Sequence, residues 1–260
     1  MRAPLLPLPT AVLTCLAACA PASKTETKAL EPGPQPAQIV GQKFQHDGLE
    51  LYYEVYGSGE PLLLIHGNGG SSRDLTAQIA RFRKDYQVIA MDSRDQGRSS
   101  DSAGKITYEK MTDDQAALLD HLKVGAANLV GWSDRGTEAL LLAVRHPAKV
   151  KKLVSMAANL TPQGLHPDAV GFIKNMLKDP NIPARDRKVT EMVLTEPQVK
   201  VTELEKITAT ALILASDHDV VSDQHTLEIF HHIPNNAAPD LRQCYTRDSI
   251  LTTPIASTRH

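Results

Sequence analysis

The chain predicts an α/β fold: a mostly parallel central sheet covered by helices on both faces, with a small cap. Three observations predict it. Short apolar runs alternate with helical patterns from residue 61 onward. The run Pro61-Leu-Leu-Leu-Ile65 has no polar alternation, as a strand buried on both faces requires. At 260 residues and 42% hydrophobic, the chain can bury one sizeable core.

The elements follow in order. Lys43-Phe-Gln-His and Leu49 to Tyr56, split by Asp47-Gly48, read as a hairpin. After the buried strand ending at Ile65, Ser71 to Asp85 reads as an amphipathic helix with Leu75, Ile79 and Phe82 on one face. Tyr86 to Met91 is a strand. Tyr108 to Leu122 is a helix, with Met111, Leu118 and Leu122 at helical spacing. A strand at Ala127 to Val130 leads to a helix at Thr137 to Arg145, and Val150 to Met156 is the next strand. Residues 160 to 205 break the alternation, and a small cap is expected there. They hold Phe172 to Leu177, a Pro-rich turn and a second weak helix. Ala209 to Ala215 is a strand, and Ser222 to His232 a helix with Leu227, Phe230 and Ile233 facing inward. From 235 to 260 no period of 2 or 3.6 continues, so the final strand and helix of such a sheet read as missing or altered.

The N-terminus reads as a targeting segment. Arg2 precedes an apolar run, Ala3 to Ala18, that is short for a membrane span. It ends Leu16-Ala17-Ala18-Cys19, which resembles the bacterial lipoprotein signal. That resemblance implies a signal peptide over 1–18, lipidation of Cys19 and a body held at the periplasmic or extracellular face of the cell envelope. Residues 19–38, rich in proline among Ser, Thr, Lys and Glu, read as a tether. The membrane is then met through the N-terminal lipid only. The body spans 39–234.

The formal net charge of -2, with no Lys/Arg run interleaved with aromatics, gives no reason to expect a nucleic-acid partner. Cys15, Cys19 and Cys244 form neither a disulfide framework nor a metal-type spacing.

Four segments carry chemistry. In Asn128-Leu-Val-Gly-Trp-Ser-Asp-Arg-Gly136 a short strand enters a Gly-x-Ser turn ahead of a helix. That is the context in which a strained turn presents a serine hydroxyl, and it nominates Ser133 as nucleophile. His66-Gly67-Asn68-Gly69-Gly70 follows a strand, and its glycines permit close backbone approach to a developing negative charge. Asp92-Ser-Arg-Asp-Gln-Gly-Arg-Ser99 follows the next strand. Ala215-Ser-Asp-His-Asp-Val-Val221 ends the strand from Leu212.

Together, in this order, these segments resemble the α/β-hydrolase superfamily, most closely its small bacterial carboxylesterase-like members, over roughly residues 40 to 234. The resemblance implies a serine hydrolase that cleaves a small-molecule carboxylic ester through an acyl-enzyme. Ser133 is then the nucleophile and Asp219 the acid that orients an imidazole, while the N–H groups of Asn68 and Asp134 form the oxyanion hole. His66 shapes the loop, and no cofactor or metal is implied. Serine at the elbow disfavours the dehalogenases and epoxide hydrolases of the same fold, which carry Asp there. A cap-gated lipase would need a larger lid than 160–205 supplies.

The chain departs from the family pattern in two ways. Glycines of the pattern are replaced by Asp95, Arg135 and Ser216, and the elbow needs small residues two before and two after its serine. The catalytic histidine, expected on a loop after the final strand, has no counterpart. His225, His231 and His232 come too early, and His260 is the terminal residue. The tail accounts for this as a frameshifted end. Back-translating Pro239-Asp-Leu-Arg-Gln-Cys-Tyr-Thr-Arg247 and shifting by one nucleotide permits Leu-Thr-Phe-Gly-Asn-Ala-Thr-His-Glu, with a His near the place of Thr246. Two readings stay open: an esterase with impaired activity, or a catalytically inactive α/β-hydrolase-fold protein, either a binding module or a decayed gene product.

Overall fold

The structure is a computed structural model that describes residues 41–216 and 219–236. The expected signal, the tether with Cys19 and most of the tail lie outside them.

Seven strands form one sheet: β1 (Gln42–His46), β2 (Leu49–Tyr56), β3 (Glu60–Ile65), β4 (Tyr86–Met91), β5 (Ala127–Trp132), β6 (Val150–Met156) and β7 (Thr210–Leu214), in the order β1-β2-β4-β3-β5-β6-β7. The β1–β2 and β2–β4 pairs are antiparallel, and every later pair is parallel. The hairpin turn is where the sequence puts it. Asp47 and Gly48 both have positive φ, 50° and 72°, the geometry of a two-residue type I′ turn.

The absence of alternation in the central strands has a direct cause. Leu63, Ile65, Ile89 and Met91 join one core with the helices α2 (Tyr108–His121) and α3 (Asp134–Arg145). Their neighbours Leu62, Leu64, Val88 and Ala90 bury against Leu75 and Ile79 on the other face. Both faces are covered, so every position is apolar.

The helix read over 71–85 is two elements. Ser71 and Asp74 form a capping box on a 3-10 turn, Ser72–Leu75, before α1 (Thr76–Phe82). Residues 160–205 hold α4 (Pro167–Met176), α5 (Ala184–Val193) and a 3-10 turn, Val201–Lys206. In α6 (Asp223–His232) and its cap, the inward stripe is Thr226, Ile229 and Ile233. Ile233 is buried as expected, whereas Leu227 and Phe230 are half-buried, Phe230 packing against the edge of the core.

The chain does return to the sheet after α6. The Ala211 N–H donates to the Asn235 carbonyl at 3.0 Å, and Asn236 makes a parallel bridge with Ala211. A seventh pairing, seen as this one bridge, therefore forms at the β7 edge. Residues 237–260, with Thr246, fall outside the described residues.

Candidate active site

Ser133 joins β5 to α3 with φ 63° and ψ -141°. This is a left-handed backbone on a non-glycine residue, a state that costs about 1–3 kcal/mol and persists only where its surroundings enforce it. The enforcement is visible. A Cβ at Gly131 would sit 2.2 Å from the Arg135 carbonyl oxygen, and one at Gly136 would sit 2.8 Å from that of Met156. Small residues are thus required two before and three after the serine.

Arg135, which the sequence pattern marks as a misfit, is accommodated without shifting the turn. Its side chain is wholly buried. Nη2 donates to Asn68 Oδ1 at 3.1 Å, and Nη1 pairs with the equally buried Glu138 and approaches Asp134 Oδ2 at 3.6 Å. Burial in an apolar surround disfavours these charges. It pushes Glu138 up to about 7 against the pull of Arg135, and it raises Asp134 as well.

The other replaced glycines also have partners. Asp95 keeps a left-handed φ of 59°, a region Asp tolerates better than most residues. Its carboxylate accepts from Ser102 Oγ at 2.6 Å and from Lys188 Nζ of α5 at 2.7 Å. The Ser216 N–H donates to Asp219 Oδ2 at 3.2 Å.

The loop after β3 is held from several sides. His66 is buried, with Nδ1 2.7 Å from the Gly67 carbonyl and Nε2 accepting the Ser93 N–H at 3.0 Å. Burial and then Arg135 push its pKa down to about 4. A neutral ring with both nitrogens engaged shapes the loop and is not free to take a proton from Ser133. The Asn68 N–H points at Asp134 Oδ1, 3.0 Å away, and the Asn68 side-chain amide donates to the Val189 carbonyl of α5 at 3.3 Å. A substrate oxyanion at Asn68 must share that N–H or displace the carboxylate. The second expected donor, the Asp134 N–H, opens α3 and so has no partner within the helix.

The 92–99 loop is structural. Asp92 accepts the Ser72 N–H at 2.8 Å and the Arg98 Nε–H at 2.8 Å, and Arg94 forms a fork on Asp114 with both bonds at 2.7 Å.

Asp219 receives the N–H groups of Ser216 and Val221, each at 3.2 Å. The structure brings Asn68, Ser133, Asp134 and Asp219 to one cavity of about 1220 Å³, roofed by α4 and α5. Five aspartates are among its lining residues, Asp134, Asp168, Asp186, Asp219 and Asp223, and no Lys or Arg is among the described ones. Phe172, Ile173 and Met176 of α4 supply an apolar wall.

Among the described histidines, His166 alone lines this cavity. Its N–H donates to the Val220 carbonyl at 2.8 Å, beside Asp219. Sequence reasoning had no signal for it, since it sits at a cap-helix start outside every motif. His225 is engaged elsewhere, with Nε2 accepting the Leu160 N–H at 2.8 Å.

A family profile described as alpha/beta hydrolase fold matches residues 60–191. A serine hydrolase of Homo sapiens is 31% identical over 127 residues, 46% of this chain and 44% of that protein. An sn-1-specific diacylglycerol lipase of Danio rerio is 30% identical over 157 residues, 58% of this chain and 49% of that one. The chain spans about half the length of the curated relatives it matches. Among solved structures, an esterase from Exiguobacterium antarcticum superposes with a TM-score of 0.66 at 21% identity, covering 76% of this chain and 89% of that one. An α/β-hydrolase enzyme from a deep-sea metagenome library gives 0.67 at 20% identity, covering 75% and 86%. At such identities the likeness carries the fold alone.

Proposed function

The chain belongs to the alpha/beta hydrolase fold family, and from that premise we propose that it is a serine hydrolase cleaving a carboxylic ester through an acyl-enzyme. The observation that carries this reading is the strained backbone of Ser133, facing a cavity shared with Asn68 and Asp219.

In this mechanism Ser133 Oγ attacks the ester carbonyl carbon as a base takes its proton. The carbonyl π electrons move to oxygen, and the N–H groups of Asp134 and Asn68 hold the resulting oxyanion. Collapse expels the alkoxide, which leaves with the proton from the base. Water then repeats the attack on the acyl-enzyme and releases the acid. The base is an imidazole oriented by the Asp219 side. The family places it after the final strand, a stretch in which this chain offers only the terminal His260, and among the described residues His166 is the imidazole that lines the cavity.

The aspartates that line the cavity, with no Lys or Arg among the described lining residues, favour neutral or cationic esters over anionic ones, because an added negative charge would be repelled in a partly water-excluded space. The apolar wall on α4 suits a hydrophobic acyl or alcohol group. We further propose that Cys19 carries a lipid that holds this body at the outer side of a membrane. Fractionation of cells carrying the chain or its Cys19→Ser variant tests this, and equal membrane association of the two would refute it.

Hydrolysis of p-nitrophenyl acetate by the full chain and by Ser133→Ala tests the activity. A rate lost in the variant supports the esterase. Equal rates would leave the inactive, ligand-binding alternative.

A further inference from the structure

We propose that Arg135 is a positioning residue of the oxyanion loop, acting on the reacting centre through Asn68. This rests on the reading of Ser133 as nucleophile.

Between His66 and Ser71, Asn68 is the only residue that is not glycine. A segment with three glycines has wide backbone freedom. The Gly69 N–H is held by Gln96 Oε1 at 2.7 Å and the Gly67 carbonyl by His66 Nδ1 at 2.7 Å, and between them Asn68 is tied at three points. Its N–H goes to Asp134 Oδ1 at 3.0 Å, its Oδ1 accepts from Arg135 Nη2 at 3.1 Å, and its Nδ2 donates to the Val189 carbonyl at 3.3 Å. Two of the three ties come from the residues that directly follow the nucleophile. Arg135 therefore couples the helix that carries Ser133 to the loop that carries the facing N–H.

The charge of Arg135 matters as well. Asp134 places a carboxylate next to the position where an oxyanion would form, and a second carboxylate, Glu138, is buried behind it. The guanidinium is wholly buried and reaches both, so its field at the loop is weakly screened by water. Replacing Arg135 by glycine would remove one tie on the loop and the cation that offsets two buried carboxyl groups behind the donor. The competing account is that Arg135 is an inert replacement at a glycine position. On that account Arg135→Gly is neutral or raises activity.

The test uses the full chain with Arg135→Gly, Arg135→Lys, Asn68→Ala and the double variant Arg135→Gly/Asn68→Ala. Two readouts are kcat and KM on p-nitrophenyl acetate and inhibition by an aryl trifluoromethyl ketone, whose serine hemiketal carries an oxyanion. Arg135→Gly is expected to lower kcat about tenfold with KM little changed, and to weaken the ketone by a similar factor, the scale of a misplaced group near the chemistry. Arg135→Lys restores part of the loss. Asn68→Ala gives at least as large a loss, since it also breaks the tie to Val189, and the double variant falls well short of the product of the two losses because they share the Arg135–Asn68 link. Amide hydrogen exchange over residues 66–70 reads the same tie without turnover. Exchange should quicken about tenfold in Arg135→Gly relative to the parent chain.

Activity equal to or above the parent in Arg135→Gly, losses that multiply in the double variant, or unchanged exchange over 66–70 would each overturn the proposal. If Arg135→Gly does not fold, the comparison is made in a Glu138→Gln background, where no buried carboxylate at 138 is left unpaired. A parent chain with no Ser133-dependent turnover refutes the hydrolase reading. An active parent matched by Arg135→Gly refutes the role of Arg135 alone.

Discussion

The Asp134 carboxylate accepts the backbone N–H of Asn68 at 3.0 Å, while its other oxygen takes the Tyr108 hydroxyl at 3.1 Å. The residue after the nucleophile thus supports the oxyanion loop with its side chain and offers its own N–H to the same centre. Two effects oppose each other: the bond orders the loop, and the negative charge disfavours an oxyanion beside it. Asp134→Asn keeps an acceptor and removes the charge, so its fluorophosphonate labelling rate should stay within about threefold of the parent. Asp134→Ala removes both anchor points and should slow labelling about tenfold or more. Equal rates for the two variants would contradict this division.

The strain at Ser133 makes a stability prediction. Glycine adopts φ 63°, ψ -141° without steric cost, so Ser133→Gly should abolish activity and raise stability by about 1 kcal/mol. The greater freedom of glycine in the unfolded chain limits the gain. Urea titration reads it, and a variant less stable than the parent would show that the turn is not strained.

Glu138 gives a pH dependence of stability. Burial raises it to about 7, above its ordinary value of 4.5. Between those values the native chain keeps a proton that the unfolded chain has lost. Its contribution is complete below the unfolded value and is lost as pH rises through about 7. Glu138→Gln holds this position neutral, so the fall in urea midpoint from about pH 5 to about pH 8 should be smaller in the variant than in the parent. Parallel profiles would contradict the assignment.

Asp95 joins the 92–99 loop to the cap through Lys188 and holds a left-handed backbone. Asp95→Ala loses its polar partners and keeps the unfavourable φ, and should cost about 2 kcal/mol. Asp95→Gly relieves the φ and should cost less. Chemical denaturation of the two variants checks the order, and an alanine variant as stable as the glycine one would contradict it.

The sheet was legible because strands covered on both faces must be continuously apolar, as Leu62 to Ile65 are. The elbow was legible because Gly131 cannot carry a side chain against the Arg135 backbone. Arg135 itself was not. A sequence marks a missing glycine but says nothing of the buried slot, lined by Glu138, Asn68 and Met111, that receives the side chain. Asp95 looked like a loss for the same reason, since Ser102 and Lys188 are distant along the chain yet adjacent in space. The engagement of the Asn68 N–H by Asp134 and the presence of His166 in the cavity depend on how the loops and cap fold back, which no local pattern records.

The central claim is that Ser133 is the nucleophile of an oxyanion-stabilising site. Mass spectrometry of the full chain after exposure to a fluorophosphonate tests it most directly. The account predicts a phosphonyl adduct on the peptide containing Ser133, absent from Ser133→Ala. An unmodified Ser133, or the same labelling in both proteins, would contradict it.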